Sequence, residues 1–462
     1  MAQNFDMISL LPDTLLFIII SLIPFKEAVR TSILSKRWLH LWKNTTNIEF
    51  NEHFFVGSEF QRWDFLHFIT LCIENYQENS IVEKLSLTLA DPGHVTSSEI
   101  VERCVDFAIQ QGVIDLDLDF SSPYWTEEDI EEPEALFELR TKVYENKTLK
   151  SLKLFSCNFP ENELMKFHAL KEVSLGWMEL KNNAIETLLS NCKMIEILNI
   201  KKCWTWNRID CVGVDELRLK KLIVDSCFFM EGGFLIDAPN LTYFKFHGNI
   251  MYFDIDYSSH LEEVDLYFGL EYENPKEDVF IYSTIRNFKY VKVLTICGFI
   301  LKEMERISTL FELRHLKMNT RHLKMMTNLQ SDECLGVRFF LNSCTMLELL
   351  TFDLGSGRLI HVPGEYYYKE DDDDHKRTWL DNGNSCECLT STLKVVEMNN
   401  FTGFVNEILM LHFLICNGTV LRRVNINVQN EETEVVEKCR KVEELMMTKP
   451  RASNDLEILF SY

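Results

Sequence analysis

The chain has 462 residues, of which 46% are hydrophobic and 26% are charged, a composition typical of soluble globular proteins. Its 47 Lys and Arg against 71 Asp and Glu give a net charge of −24, which disfavours nucleic acid and anionic membrane surfaces as partners. The 14 cysteines are too scattered for a disulfide scaffold, the start lacks the basic and apolar regions of a secretory signal, and residues 15–23, the most apolar run, are too short to span a bilayer. We therefore expect a reducing compartment, the cytosol or the nucleus.

Residues 8–42 predict three short helices. Pro12 stands in the first turn of one helix and Pro24 ends it; a second helix follows, and a third begins near Trp38. A segment of this size is too small to stabilise itself, and it carries no cysteine and no metal-ligand spacing. Trp38 and Trp42 exceed what so small a core could bury, which indicates docking on another protein. The alternative is that both pack on the following domain.

The same segment resembles an F-box of the plant type. The motif is carried by LPD at 11–13, TS at 31–32, LSKRW at 34–38 and LW at 41–42. The resemblance implies binding of the Skp adaptor and, through it, of a cullin and RING ubiquitin ligase. It also implies a set of adaptor-binding residues: Leu11, Pro12, Leu15, Leu22, Pro24, Leu34, Trp38, Leu41 and Trp42, with Ser35, Lys36 and Arg37 at the polar edge.

Two positions in this segment depart from the F-box pattern, and one of them, Ile23, replaces the usual Leu before Pro24. Phe25 stands where a small polar residue is common. The sequence leaves open whether Phe25 contacts the adaptor or is a packing substitution.

A short apolar pattern recurs along the rest of the chain. It consists of an apolar anchor, two variable residues, an apolar residue, a variable residue and a further apolar residue, and it averages about 28 residues between anchors, within the range of leucine-rich repeats. Alternation places two of its side chains on the buried face of a short strand, and such units must stack to bury that face. The predicted anchors are Val82, Val113, Leu149, Leu170, Ile195, Leu219, Leu241, Leu261, Val291, Leu313, Leu347, Leu393 and Leu421.

A second signature joins a helical apolar pair, a Cys or Asn turn and then the strand. It occurs at 188–200, 340–352 and, more loosely, 413–426, and it resembles units of plant F-box leucine-rich-repeat proteins. Cys157, Cys203 and Cys227 each follow the last apolar strand position by three residues, and we expect them to serve packing.

Residues 379–462 resemble the FBD domain of the same plant family, through Trp379, Cys388, Phe401, Gly403 and a final strand from Leu456. The expected fold is therefore α/β: a small helical F-box (6–50), a connecting helical segment (51–80), a curved leucine-rich-repeat solenoid of parallel strands with helices and loops (81–378), and a capping FBD α+β unit (379–462).

No catalytic or cofactor motif is present, because the chain lacks a Gly-rich phosphate loop, G-x-S-x-G, H-E-x-x-H and C-x-x-C. Acid runs at 127–138 and 369–375 lack the spacing of a calcium loop and predict solvated loops. Cys386 and Cys388 with His361 or His375 form only a weak metal pattern. Tyr366, Tyr367 and Tyr368 are candidates for an interface. We expect a non-catalytic adaptor without a cofactor or a bound metal.

Three roles remain open on these grounds. The resemblance favours a receptor whose repeats hold a target protein for ubiquitination, and the acidic charge favours a basic target. The first alternative is a receptor that senses a small molecule or an inositol phosphate through basic stretches at 201–202, 218–221 and 322–324. The second is a non-degradative scaffold.

Overall fold

The computed structural model describes the following parts of the chain: residues 8, 11–57, 59–76, 81–90, 95–122, 124–126, 136–159, 165, 167–181, 183–205, 208–212, 217–229, 233–256, 260–270, 277–307, 313, 315–355, 386–429 and 433–462. The chain divides into two compact units. The first comprises Met1–Leu219 with Ser226–Glu231, and the second comprises Lys220–Asp225 with Gly232–Tyr462.

Both units are built from helices and parallel strands. The helices are α1 Asp13–Ser21, α2 Phe25–Arg30, α3 Glu52–Phe55, α4 Glu59–Glu74, α5 Val95–Gln111, α6 Ala184–Asn191, α7 Glu277–Asn287, α8 Gly298–Ile307, α9 Cys334–Ser343, α10 Glu387–Ser391, α11 Val405–Asn417 and α12 Thr433–Thr448. Short 3₁₀ segments include Thr31–Ile33 and Trp38–Asn44. The strands are β1 Asn47–Asn51, β2 Lys84–Thr88, β3 Asp115–Asp119, β4 Ser151–Phe155, β5 Glu172–Gly176, β6 Ile197–Lys201, β7 Trp204–Thr205, β8 Ile209–Val212, β9 Lys221–Phe229, β10 Gly233–Asp237, β11 Tyr243–Asn249, β12 Tyr252–Ile255, β13 Glu263–Leu270, β14 Val293–Cys297, β15 His322–Thr327, β16 Leu349–Leu354, β17 Val395–Phe401, β18 Arg423–Val428 and β19 Glu457–Ser461.

In the first unit, β1 to β6 pair in chain order, and each neighbouring pair is parallel. The register joins equivalent residues of successive repeats, as Leu85 with Leu116 and Leu116 with Leu152. Alternation is strict in β2, β3 and β4, where the two leucines of each strand are buried and the residues between them are half-exposed. The leucine-rich-repeat architecture is therefore confirmed in this unit.

In the second unit, β11 and β13 to β19 pair in the same parallel manner. Strands β17, β18 and β19 continue the register of β16, so the repeat ladder runs through the part of the chain assigned to an FBD domain. The expected boundary at residue 379 lies outside the described residues and stays a prediction. All thirteen predicted anchors of both units are buried.

One repeat is misplaced by the sequence pattern. The segment LRHLKM from Leu313 forms no strand in its described residues, whereas β15 lies at 322–327. Its register with β14 puts Thr320, which is fully buried, in the anchor position. The prediction at Leu313 is wrong because a pattern built on apolar residues cannot recognise a threonine anchor. Thr45, buried before β1, escaped notice for the same reason.

A left-handed residue directly follows β4, β5 and β6, and another lies within each of β9 and β17. Ser156, Trp177, Lys202, Ser226 and Asn400 all have φ between 50° and 57°, and each stands seven positions after its anchor. The turn directs the next residue inward: Cys157, Met178, Cys203, Cys227 and Phe401 are each at most 1% exposed. Cys203 donates to the carbonyl of Lys201, and the Cys203 backbone N–H donates to Cys227 Sγ. The packing role expected for these cysteines is confirmed.

Candidate functional site

Helix α1 is apolar on nearly every side, yet the chain covers only one of its stripes. Leu16 and Ile20 are buried at the spacing of one helical turn. The other apolar residues point to solvent: Leu15 is 45% exposed, Ile18 57% and Leu22 80%. A helix that is apolar all round normally lies inside a protein, so α1 presents surface that a partner can cover.

The turn after α2 also exposes apolar side chains. Ile33 is 83% and Leu34 64% exposed. Among the other residues of the predicted set, Pro12, Pro24, Ser35, Lys36 and Arg37 are exposed, and Leu11 is half-buried. Ile18 and Ile33 were not in the predicted set, although each belongs to an apolar run that the chain could not bury alone.

One residue of the predicted polar edge, Arg37, makes contacts that stabilise the F-box segment itself. Arg37 Nη2 lies 2.6 Å from Asp13 Oδ1 in an ion pair, and Arg37 also donates to the carbonyl oxygen of Leu11. These contacts join the last part of the segment to the first turn of α1. Arg37 therefore helps to fix the exposed face of α1.

The remaining predicted residues lie in the core: Trp38, Leu41 and Trp42 are at most 8% exposed. Trp38 and Trp42 are therefore covered within this chain, and the alternative, packing on the part of the chain that follows, is supported for Trp42 through its contact with Phe25. The Phe25 ring meets Trp42 edge-on at 6.1 Å between centroids and Phe50 of β1 at 5.4 Å. Phe50 in turn meets Phe68 of α4 at 6.1 Å.

The open question at Phe25 is thereby answered, since its side chain is 3% exposed. It is a packing residue that joins the helical segment to the first repeat strand.

A polar contact reinforces the same junction. Lys26 Nζ donates to the Phe54 carbonyl oxygen at 2.5 Å and lies 4.4 Å from the centroid of the Phe55 ring. Backbone acceptor and aromatic face both favour the ammonium group. The segment is thus held by a continuous aromatic core with a charged residue at its rim.

Buried carboxylates hold the loops that follow three strands, and none of these carboxylates was predicted from the sequence. Glu52 pairs with Arg62 Nε at 2.9 Å and accepts from the Ala90 N–H at 2.7 Å. Glu407 accepts from the N–H groups of Thr402, Gly403 and Phe404. Glu333 accepts from the Gln330 N–H and the Thr327 hydroxyl. The signal that was available is the position of Glu333 and Glu407 three residues after a helix N-cap.

The metal pattern gains no support within the described residues, where no three His, Cys, Asp or Glu side chains come together as a metal site would need. Cys386 and Cys388 are fully buried, and burial raises the pKa of both thiols. Cys388 donates to the Leu341 carbonyl oxygen at 3.1 Å. The candidates His361 and His375, the tyrosines 366–368, the run 369–375 and most of the run 127–138 lie outside the described residues.

Two of the three basic stretches, 201–202 and 218–221, are engaged with aromatic rings of the chain itself. Lys202 Nζ lies 4.6 Å from the Trp177 ring centroid, and Lys221 Nζ lies 5.7 Å from that of Tyr243. Burial lowers the pKa of His322, which disfavours its positive form. None of the helices in the described ranges has the length and apolar character needed to cross a bilayer.

Comparison with known proteins agrees with this architecture. Residues 8–49 match the F-box domain, and residues 73–456 match the leucine-rich-repeat domain described as At1g61320/AtMIF1. The F-box protein At3g62230 of Arabidopsis thaliana is 33% identical over 437 residues, which are 91% of this chain and 91% of that protein.

Two further Arabidopsis thaliana proteins show the same relationship. An F-box/LRR-repeat protein, At1g56400, is 31% identical over 89% of this chain and 86% of its own length. The FBD-associated F-box protein At5g22730 is 26% identical over 92% of this chain and 88% of its own length. With an exposed apolar F-box face, a parallel repeat ladder and these matches, the chain belongs to the plant F-box/leucine-rich-repeat family.

Proposed function

We propose that this chain is the substrate-recruiting subunit of a Skp–cullin–F-box ubiquitin ligase. An F-box joined to leucine-rich repeats supports a general role in substrate recognition for ubiquitin ligation. The observation that carries the specific proposal is the uncovered apolar surface of α1 and of the 33–34 turn. In this proposal the F-box docks that surface on the Skp adaptor, and the repeats bind a target protein.

The proposed docking residues divide into two groups. Leu15, Leu22 and Leu34 contact the adaptor, together with the exposed Pro12, Pro24 and Ser35. Trp38, Leu41 and Trp42 form the core that holds those contacts in place, since their side chains are already covered by this chain.

F-box/leucine-rich-repeat proteins are typically non-catalytic adaptors, and we infer the same role here. Ubiquitin transfer belongs to the ligase partners, and this chain supplies proximity between the target and the activated ubiquitin. All 14 cysteines are free thiols, which fits action in the cytosol or the nucleus. We further infer that residues 379–462 act as an FBD cap on the repeats and that the acidic chain prefers a basic target.

The test is adaptor binding by the purified full chain. Leu22→Asp combined with Leu34→Asp places two charges on the most exposed part of the surface, and we expect an affinity loss of at least about 2 kcal/mol, roughly thirtyfold. The matched control is Ile81→Asp, because Ile81 is 73% exposed but lies outside the F-box. The control should bind as the parent does, and all variants should keep the parent circular dichroism spectrum. Equal affinity of the double variant and the parent would contradict the proposal.

A further inference from the structure

The short helix that follows β1 holds an aromatic side chain in the solvent. Helix α3 carries two consecutive phenylalanines, of which Phe55 is half-buried and Phe54 is 67% exposed. The centroid of the Phe55 ring lies 4.9 Å from that of Phe65 and 5.3 Å from that of Phe68. Since Phe55 packs on α4, its neighbour Phe54 is left at the surface.

Contacts from three parts of the chain hold α3 in place. Glu52, its first residue, is 5% exposed; the carboxylate pairs with Arg62 Nε of α4 at 2.9 Å and accepts from the Ala90 N–H at 2.7 Å. From α2, Lys26 Nζ donates to the Phe54 carbonyl oxygen at 2.5 Å. A side chain on an element that is already fixed loses little conformational freedom when a partner covers it. Phe54 is therefore preorganised for a contact.

The contact with Lys26 places Phe54 beside the exposed apolar residues of the F-box. Lys26 comes four residues after Leu22, which is 80% exposed, and it belongs to the helix that leads to the exposed Ile33 and Leu34. The Phe54 backbone thus touches α2, the element that joins these two exposed groups. A single exposed apolar side chain is ordinary on a protein surface, whereas contiguous ones mark a site of interaction.

We propose that Phe54 extends the docking surface beyond the F-box, so that the Skp adaptor covers α3 as well as α1 and the 33–34 turn. This inference rests on the proposed function, because the adaptor is the partner that α2 brings next to Phe54. The match to the F-box domain ends at residue 49, so the motif itself does not include this contact. The ring supplies an apolar contact, and its face and edge fit an apolar or aromatic side chain of the adaptor.

The experiment measures the affinity of the purified full chain for the purified Skp adaptor. Phe54→Ala should raise the dissociation constant at least roughly fivefold, because the aromatic contact is lost. Tyr124→Ala is the matched control, since Tyr124 is 88% exposed outside the F-box, and it should change the constant by less than about twofold. Both variants should keep the parent hydrogen exchange at the Val56 amide, which donates to the Glu52 carbonyl oxygen and reports that α3 is intact.

Two further measurements examine the contact directly. Oxidation of the Phe54 ring by hydroxyl radicals should slow when the parent chain is saturated with the adaptor, whereas Tyr124 should react at the same rate in the free chain and in the complex. The loss of affinity caused by Phe54→Ala should be equal at low and high sodium chloride concentration, because salt screens charges and leaves an apolar contact in place.

The outcomes separate this inference from the proposed function. If the parent chain does not bind the adaptor, both are overturned. If the parent binds and Leu22→Asp with Leu34→Asp weakens binding, but Phe54→Ala costs less than about fivefold, the adaptor does not use α3 and only this inference is overturned. The same conclusion follows if Phe54 is oxidised equally fast in the free chain and in the complex, or if the loss with Phe54→Ala disappears at high salt.

Discussion

Replacement of Phe25 by alanine should open the F-box without damaging its docking surface. The side chain is 3% exposed and makes edge-to-face contacts with Trp42 and Phe50. Phe→Ala changes in cores cost about 3–5 kcal/mol, and two aromatic contacts place this site toward the upper end. If these contacts break when the F-box opens, amide protection in residues 13–51 falls by roughly three to four orders of magnitude.

The assay is native-state hydrogen exchange on the full chain, because a two-unit protein does not give a single global unfolding transition. The matched control is Phe54→Ala, since Phe54 is 67% exposed on α3 and should change protection by less than about 0.5 kcal/mol. Amides of β15, in the second unit, provide an internal reference. A fall of less than tenfold in the F-box amides, or an equal fall with Phe54→Ala, would refute the packing role of Phe25.

Three further predictions concern the second unit, and each is checked by measuring the free energy of unfolding of that unit. Burial raises the pKa of Glu333 to about 7, above its unfolded value. The protonated carboxyl therefore stabilises the folded state at acid pH, and this contribution is lost as the pH rises from about 4.5 through 7. The free energy of unfolding should thus be roughly 2–3 kcal/mol higher at pH 5 than at pH 8 on account of this group, and Glu333→Gln should remove that difference. Gly336→Ala puts Cβ 2.1 Å from the Leu301 carbonyl oxygen and should cost about 1–3 kcal/mol or more, whereas Gly57→Ala in the first unit, which meets only a flexible side chain, should be nearly neutral there. Thr320→Val should leave stability unchanged or raise it by up to about 1 kcal/mol, because the buried Thr320 hydroxyl has no hydrogen-bond partner among the described residues to lose. A loss above about 1 kcal/mol would contradict the anchor assignment.

The repeat ladder could be predicted from sequence because its determinants are local. An anchor and two alternating apolar residues lie within six positions, so the burial of Leu149, Leu152 and Leu154 can be inferred without knowledge of the rest of the fold. The helix–turn–strand signature at 188–200 succeeded for the same reason: α6 ends before Cys192, and β6 follows.

Two of the failures involve contacts between distant parts of the chain, and the third, at Glu407, involves a local loop. LRHLKM at Leu313 satisfies the local pattern as well as a true repeat does, and only the register with β14 selects Thr320. The burial of Trp42 depends on Phe25 and, through it, on Phe50 of β1, which a count limited to residues 8–42 omits. Sequence alone does not distinguish Glu407 from an exposed charge, because the three backbone N–H groups that donate to its carboxylate come together only in the folded loop.

The same contacts separate two kinds of residue that the F-box motif presents together. A side chain that is already covered, such as Trp38, cannot gain much burial from a partner, so its removal lowers the stability of this chain. A side chain such as Leu22 has little contact to lose here and gains burial only in a complex. Substitutions at exposed positions should therefore lower affinity at constant stability. Substitutions at buried positions should lower stability, while a saturating adaptor, which binds only the closed form, restores the complex.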